Sequence, residues 1–134
     1  MTHLDTSYLV DLLREAGRGE EGPASLMLGH LADEELGVSI HVVCELQAGA
    51  ELSRDPAGER SRVGKLIALL ALSIPDERFP TTYGRLLAEL RRRGESISTM
   101  DLLIATAAVV DEAPLVTRNT RDYERVPGLH VRSY

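Results

Sequence analysis

Short apolar runs alternate along the chain with longer stretches of helical periodicity, and this alternation restricts the fold more than any other feature. His3-Leu4 breaks at Asp5-Thr6-Ser7. Leu9, Leu12, Leu13 and Ala16 then recur at i, i+3, i+4 and i+7, until Gly17 and Gly19 end the pattern. A second helix is expected after Pro23, with Leu26, Met27, His30 and Leu31 on one side, and Val38-Ser39-Ile40 makes a short strand. Residues 41–53 read as a helix with Val42, Leu46 and Gly49 on a shared face, 54–58 as a loop, and 59–71 as a further helix. Residues 72–74 are strand-like, 81–93 form an amphipathic helix closed by Gly94, and 101–110 form a helix apolar enough for burial on nearly all sides. Residues 114–117 and 129–131 are the last two strands. Strands separated by helices predict an α/β fold, a mainly parallel central sheet of about four to five short strands flanked by helices. No repeat or linker divides the 134 residues, so residues 1–134 are expected to form one domain.

Composition narrows the class of function. No apolar run approaches the roughly 18 residues of a membrane span. The opening Met1-Thr2-His3-Leu4-Asp5 lacks the basic stretch and apolar core of a signal peptide. A single cysteine, Cys44, excludes an internal disulfide framework and a multi-thiol metal site, and it reads as a small core residue. These features predict a cytoplasmic location and no membrane partner. The net charge of −6 argues against sequence-blind binding to a polyanion, although the placement of the charges matters more than their sum. The 4% aromatic content argues against single-strand binding through stacked bases. His3, His30, His41 and His130 show no metal-ligand spacing, and no phosphate-cradling glycine loop, G-x-S-x-G or dinucleotide fingerprint is present.

The informative residues are four acids. In open parallel sheets ligands bind beyond the carboxyl ends of the strands. Asp5 follows the first strand, Glu45 lies on the first turns of the helix after residues 38–40, Asp101 opens the apolar helix, and Asp122 follows residues 115–117. Converging carboxylates cannot all remain ionised in a dry pocket without a cation. Hard oxygen ligands of this kind select Mg²⁺ or Mn²⁺, and the chemistry they suggest is metal-assisted phosphodiester hydrolysis. Each acid also has a plainer role. Asp5 suits a helix cap, Asp101 a capping box with Ser98, Glu45 an outward-facing position, and Asp122 a solvated loop.

Four segments in order resemble the motifs of PIN-domain proteins, and in particular the VapC-type toxins of bacterial toxin–antitoxin pairs. They are Leu4-Asp5-Thr6-Ser7-Tyr8-Leu9, then Val38-Ser39-Ile40-His41-Val42-Val43-Cys44-Glu45-Leu46 with Gly49. Next comes Gly94-Glu95-Ser96-Ile97-Ser98-Thr99-Met100-Asp101-Leu102-Leu103-Ile104-Ala105, and finally Leu115-Val116-Thr117-Arg118-Asn119-Thr120-Arg121-Asp122-Tyr123 through Gly128-Leu129. The resemblance covers essentially the whole chain. It implies a PIN-like fold and a Mg²⁺-dependent endoribonuclease, with Mn²⁺ able to substitute. It also implies an RNA substrate, a VapB-like antitoxin as inhibitor, a homodimer and a heteromeric complex with the antitoxin. Carried across, Asp5, Glu45 and Asp101 match the metal-site acids. The fourth catalytic and metal position falls either on Asp122 or on Asn119, which stands two residues after Thr117 where many relatives carry an acid. Thr6, Ser7, Thr117 and Asn119 are then supporting or phosphate-side groups, and the implied products are a 5′-phosphate and a 3′-hydroxyl. One alternative is a non-catalytic PIN-like module that binds RNA or protein. A phosphoaspartyl enzyme fits poorly, because Ser7 stands where a phosphatase needs a second Asp and the only lysine is Lys65.

Overall fold

The computed structural model describes the whole chain, Met1–Tyr134. Along it run β1 (Thr2–Leu4), α1 (Thr6–Arg18), α2 (Pro23–His30), β2 (Leu36–Ser39), α3 (Ile40–Glu51) and α4 (Pro56–Ile67). They are followed by β3 (Ala71–Ser73), α5 (Phe79–Arg92), α6 (Thr99–Val110), β4 (Leu115–Val116), α7 (Thr120–Tyr123) and β5 (Val131–Arg132). All four strand pairings are parallel, in the order β3-β2-β1-β4-β5, as the alternation of strand and helix predicts.

The order of addition matters for function. The chain lays down β1, β2 and β3 in one direction, then returns past β1 to add β4 and β5 on the other side. It therefore reverses between β1 and β4, and helices leaving neighbouring strands in opposite directions open a crevice at their carboxyl ends. The register His3↔Leu115 and Leu4↔Val116 brings the next residues along, Asp5 and Thr117, side by side at that crevice.

Side chains from both faces of the sheet close the core. Leu4, Val38, Leu115 and Val116 from the strands pack with Leu9, Val42, Leu46, Leu86, Leu90, Leu102 and Ile104 from the helices. Each buried aliphatic side chain contributes on the order of 1.5–3 kcal/mol. Helix α6 is enclosed as its composition predicts, with Leu102, Ile104, Ala105, Thr106, Ala107 and Ala108 all buried. Thr106 is tolerated there because its hydroxyl donates to the Leu102 carbonyl oxygen at 2.6 Å. No helix is long and apolar enough to cross a membrane.

Several boundaries differ from the expected ones, each for a local reason. Helix α4 starts at Pro56 inside the expected loop, because the Asp55 side chain accepts from Gly58 N at 3.1 Å and Pro56 occupies the first turn. Helix α5 likewise begins at Phe79, with Pro80 in its first turn. Ala50, rather than Gly49, shares the inner face of α3 with Val42 and Leu46. Cys44 is exposed, contrary to its expected core position, because it lies away from that face. Helix α7 has only four residues, too few to show a hydrophobic period.

Candidate active site

The crevice between β1 and β4 holds a cavity of about 330 Å³, lined by Asp5, Thr6, Ser7, Glu45, Asp101, Arg118 and Asn119 without one apolar residue. Asp5 is delivered by the end of β1, where its N–H donates to the Val116 carbonyl at 3.0 Å and ties it to β4. It occupies the N-cap position of α1, yet its carboxylate makes no capping bond. Instead Oδ2 accepts from Thr117 Oγ1 at 2.6 Å and Ser7 Oγ at 2.9 Å, while Oδ1 accepts from the Tyr123 hydroxyl at 3.2 Å. Three donors offset the cost of holding a carboxylate that is only 4% exposed.

Asp101 approaches from α6. Ser98 caps that helix, its hydroxyl accepting from Asp101 N at 3.2 Å, as the capping pattern predicts. The Asp101 carboxylate is left to face the cleft, where its Oδ1 accepts from the same Tyr123 hydroxyl at 3.2 Å. Burial raises its pKa above the usual carboxylate range, and the charges of Asp5 and Asp122 add to the rise. Hydrogen bonds from Ser98 and Tyr123 oppose it. Burial also pushes the Tyr123 hydroxyl far above the usual phenol range, and the two neighbouring carboxylates add to this, so it serves as a neutral donor. Glu45, on α3, is held by Thr6 Oγ1 at 2.6 Å. The apolar wall beside it buries Val42 and Leu46 and leaves Glu45 half-buried at the rim.

Of the positions singled out in the sequence, Asp5, Glu45, Asp101, Thr6, Ser7 and Asn119 share the lining of this cavity. Thr117 is fully buried behind it, where its Oγ1 accepts from Asn119 N at 2.9 Å. Asp122 is not part of the lining. It lies on α7 and pairs with Arg125 at 2.7 Å, although its charge is felt by Asp101. Between the two alternatives for the fourth position, it is therefore Asn119 that faces the cavity. Two residues escaped the sequence reading. Arg118 lines the cavity while its guanidinium holds Asp11 at 2.7 and 2.9 Å. Tyr123 lies within the fourth motif, but its charged neighbours Asp122 and Glu124 make the segment read as a solvated loop and give no sign that its hydroxyl turns inward.

The donor set suits a hard divalent cation. All the acidic side chains of the cleft are carboxylates, no histidine or thiol lines it, and a cation would offset the burial that raises the Asp101 pKa and the repulsion that adds to it. No three His, Cys, Asp or Glu side chains stand close enough together to hold a metal ion between them. An open arrangement of this kind agrees with Mg²⁺, which keeps several waters and takes only one or two protein carboxylates directly.

Comparison with known proteins places this geometry in a family context. The model of the PIN domain matches residues 3–129. Ribonuclease VapC2 of Rickettsia felis is 30% identical over 99 residues, which are 74% of each chain. The tRNA(fMet)-specific endonuclease VapC of Salmonella typhimurium is 31% identical over 97 residues, covering 72% of this chain and 74% of that one. Among solved structures, a chain of the VapBC2 complex of Rickettsia felis bound to a promoter DNA fragment superposes with a TM-score of 0.90 at 27% identity. The match covers 99% of this chain and 98% of that one.

Proposed function

This chain belongs to the PIN-domain family, and we propose that it is an endoribonuclease, the toxin of a type II toxin–antitoxin pair, cutting RNA phosphodiesters in the acidic cleft between β1 and β4. The observation that carries the proposal is the meeting of Asp5, Glu45 and Asp101, drawn from three separate elements, in one wholly polar cavity. A binding module without catalysis gives no reason to bury Asp5 beside Asp101 against their mutual repulsion.

In this proposal Asp5 and Asp101 hold a divalent cation, Mg²⁺ by preference with Mn²⁺ as substitute, and Glu45 and Asn119 complete the surround. When bound, such an ion supplies Lewis acidity, lowering the pKa of water and neutralising charge on the phosphodiester. The remaining work belongs to the chain. Thr117 and Ser7 fix the Asp5 carboxylate through Oδ2, and Thr6 fixes Glu45 at a rim position from which it can accept a proton from water. Arg118, exposed at the mouth, offers guanidinium donors to a phosphate entering the cleft. The water oxygen bonds to phosphorus in line as the P–O3′ bond breaks; the water's proton passes to Glu45 and the leaving 3′-oxygen takes a proton from solvent, giving a 5′-phosphate and a 3′-hydroxyl. Asp122, paired with Arg125 outside the lining, acts only through its charge on Asp101.

A VapB-like antitoxin is the proposed inhibitor. A groove of about 730 Å³ between α1, α3 and α4 has Val10, Leu13, Leu46 and Val63 on its floor and charged residues on its rim, and it reaches the cleft at Glu45. A protein segment lying in this groove would end beside the catalytic carboxylates. The cytoplasm is the proposed location, consistent with the exposed, unpaired Cys44. A homodimer belongs to the same proposal and is read by light scattering of the purified protein.

The deciding experiment is cleavage of a mixed RNA substrate by the purified chain with chelator, Mg²⁺ or Mn²⁺, beside Asp101→Asn. Cleavage is expected only with a divalent ion and only in the wild type. Undiminished activity of Asp101→Asn, or full activity under chelator, overturns the proposal.

A further inference from the structure

Tyr123 is the one buried polar side chain that touches both principal carboxylates. Its hydroxyl lies 3.2 Å from Asp5 Oδ1 and 3.2 Å from Asp101 Oδ1, and no other residue bridges them. The ring is fully buried and belongs to the hydrophobic core with Leu4, Leu102 and Val126, so it cannot swing away, and RNA cannot reach it. Asp5 already has two hydroxyl donors on Oδ2 and Asp101 is also reached by the Ser98 hydroxyl, but only the Tyr123 hydroxyl reaches both carboxylates. The separation of two like-charged groups from β1 and α6 is thus set by one rigid phenol on α7. A tyrosine has only two side-chain torsions, which core packing holds here.

We infer that Tyr123 is a positioning residue that holds the Asp5 and Asp101 carboxylates at the spacing a divalent cation requires, acting through these two groups and not on the substrate. The inference rests on the divalent-ion function proposed above for this cleft. Hydrogen-bond partners of metal-binding side chains typically affect metal affinity about 10–100-fold, because they fix ligand orientation before the ion arrives. Tyr123 suits this role because its single O–H proton is shared between Asp5 Oδ1 and Asp101 Oδ1, tying the two carboxylates together.

The test is Mn²⁺ binding to the full chain, followed by the electron paramagnetic resonance signal of free Mn²⁺, in wild type, Tyr123→Phe and Tyr8→Phe. Tyr8 is the control for losing a buried phenol elsewhere, since its hydroxyl donates to the Ala24 carbonyl at 2.8 Å, away from the cleft. Tyr123→Phe is expected to weaken Mn²⁺ binding about tenfold or more, with Tyr8→Phe unchanged. In cleavage assays at saturating Mn²⁺, the KM for RNA should stay at the wild-type value while the Mn²⁺ concentration for half-activity rises. Should Tyr123→Phe not fold, a Mg²⁺ titration of wild-type protein labelled at tyrosine Cζ decides. The Tyr123 resonance should move along the metal-binding isotherm while that of Tyr8 stays still. Unchanged Mn²⁺ affinity in a folded Tyr123→Phe, or a Tyr123 resonance that ignores Mg²⁺ binding, overturns the inference and leaves the nuclease proposal standing. Wild-type protein that binds neither ion overturns the divalent-ion function itself.

Discussion

Asp5→Asn separates the catalytic from the structural role of the most buried acid in the cleft. The change converts two charge-assisted hydrogen bonds, from Thr117 at 2.6 Å and Ser7 at 2.9 Å, into neutral ones. That costs about 1–1.5 kcal/mol for each. Against this stands relief of repulsion with Asp101. The two carboxylates share the Tyr123 hydroxyl at 3.2 Å on either side, so their facing oxygens lie about 6 Å apart or closer, 6.4 Å being the limit. Two full charges at about 6 Å and an effective dielectric near 20 repel by roughly 3 kcal/mol. The two effects nearly cancel, and Asp5→Asn should unfold in urea within about 1–2 kcal/mol of the wild type in chelator, a change in Tm of only a few degrees. RNA cleavage, in contrast, should fall at least about a hundredfold, since loss of a direct ligand costs no less than loss of an outer partner. The stabilisation that Mg²⁺ confers on the wild type by mass action should also vanish. Urea melts with and without Mg²⁺, beside cleavage of a fluorescent RNA, measure all three. A loss above about 4 kcal/mol would show that Asp5 anchors the fold, and cleavage within tenfold of wild type would show that it holds no essential ion. Either result refutes the reasoning.

Arg118→Ala should raise the KM for RNA severalfold with little change in kcat, and should reduce the slope of log affinity against log salt by about one, as read by binding at several ionic strengths. Glu15 carries a different prediction. Its carboxylate accepts from the Ser25 hydroxyl and from the N–H groups of Ser25, Ala24 and Gly22, which hold its pKa down at about 2. Because the folded value lies below the unfolded one, this stabilisation is fully present above about pH 4.5 and is lost as pH falls toward 2. Urea midpoints of Glu15→Gln should therefore lie below wild type at pH 7 and converge with it near pH 2. Leu86→Ala, at a fully buried position between α5 and the core, should cost about 2–5 kcal/mol and lower the urea midpoint without changing the slope.

The order of strands and helices, the parallel sheet and the three acids Asp5, Glu45 and Asp101 were all legible from the residues in line. Hydrophobic period is a local property, and the four motifs are contiguous segments, so neither depends on where distant parts of the chain meet. The cleft does depend on that. The chain reverses between β1 and β4, pairing Leu4 with Val116 across most of its length, and only this pairing sets Thr117 against Asp5. The same return sends α7 across the site, turning Asn119 and Arg118 into the cavity, Asp122 out to Arg125, and the Tyr123 hydroxyl between two carboxylates. Local pattern treats Asp5 as a helix cap. The structure leaves that carboxylate uncapped because three hydroxyls from outside the α1 backbone compete for it. Which acids the chain carries is written in the sequence. Which of them face one another is decided by tertiary structure, because electrostatic repulsion and hydrogen bonding act through space and not along the chain.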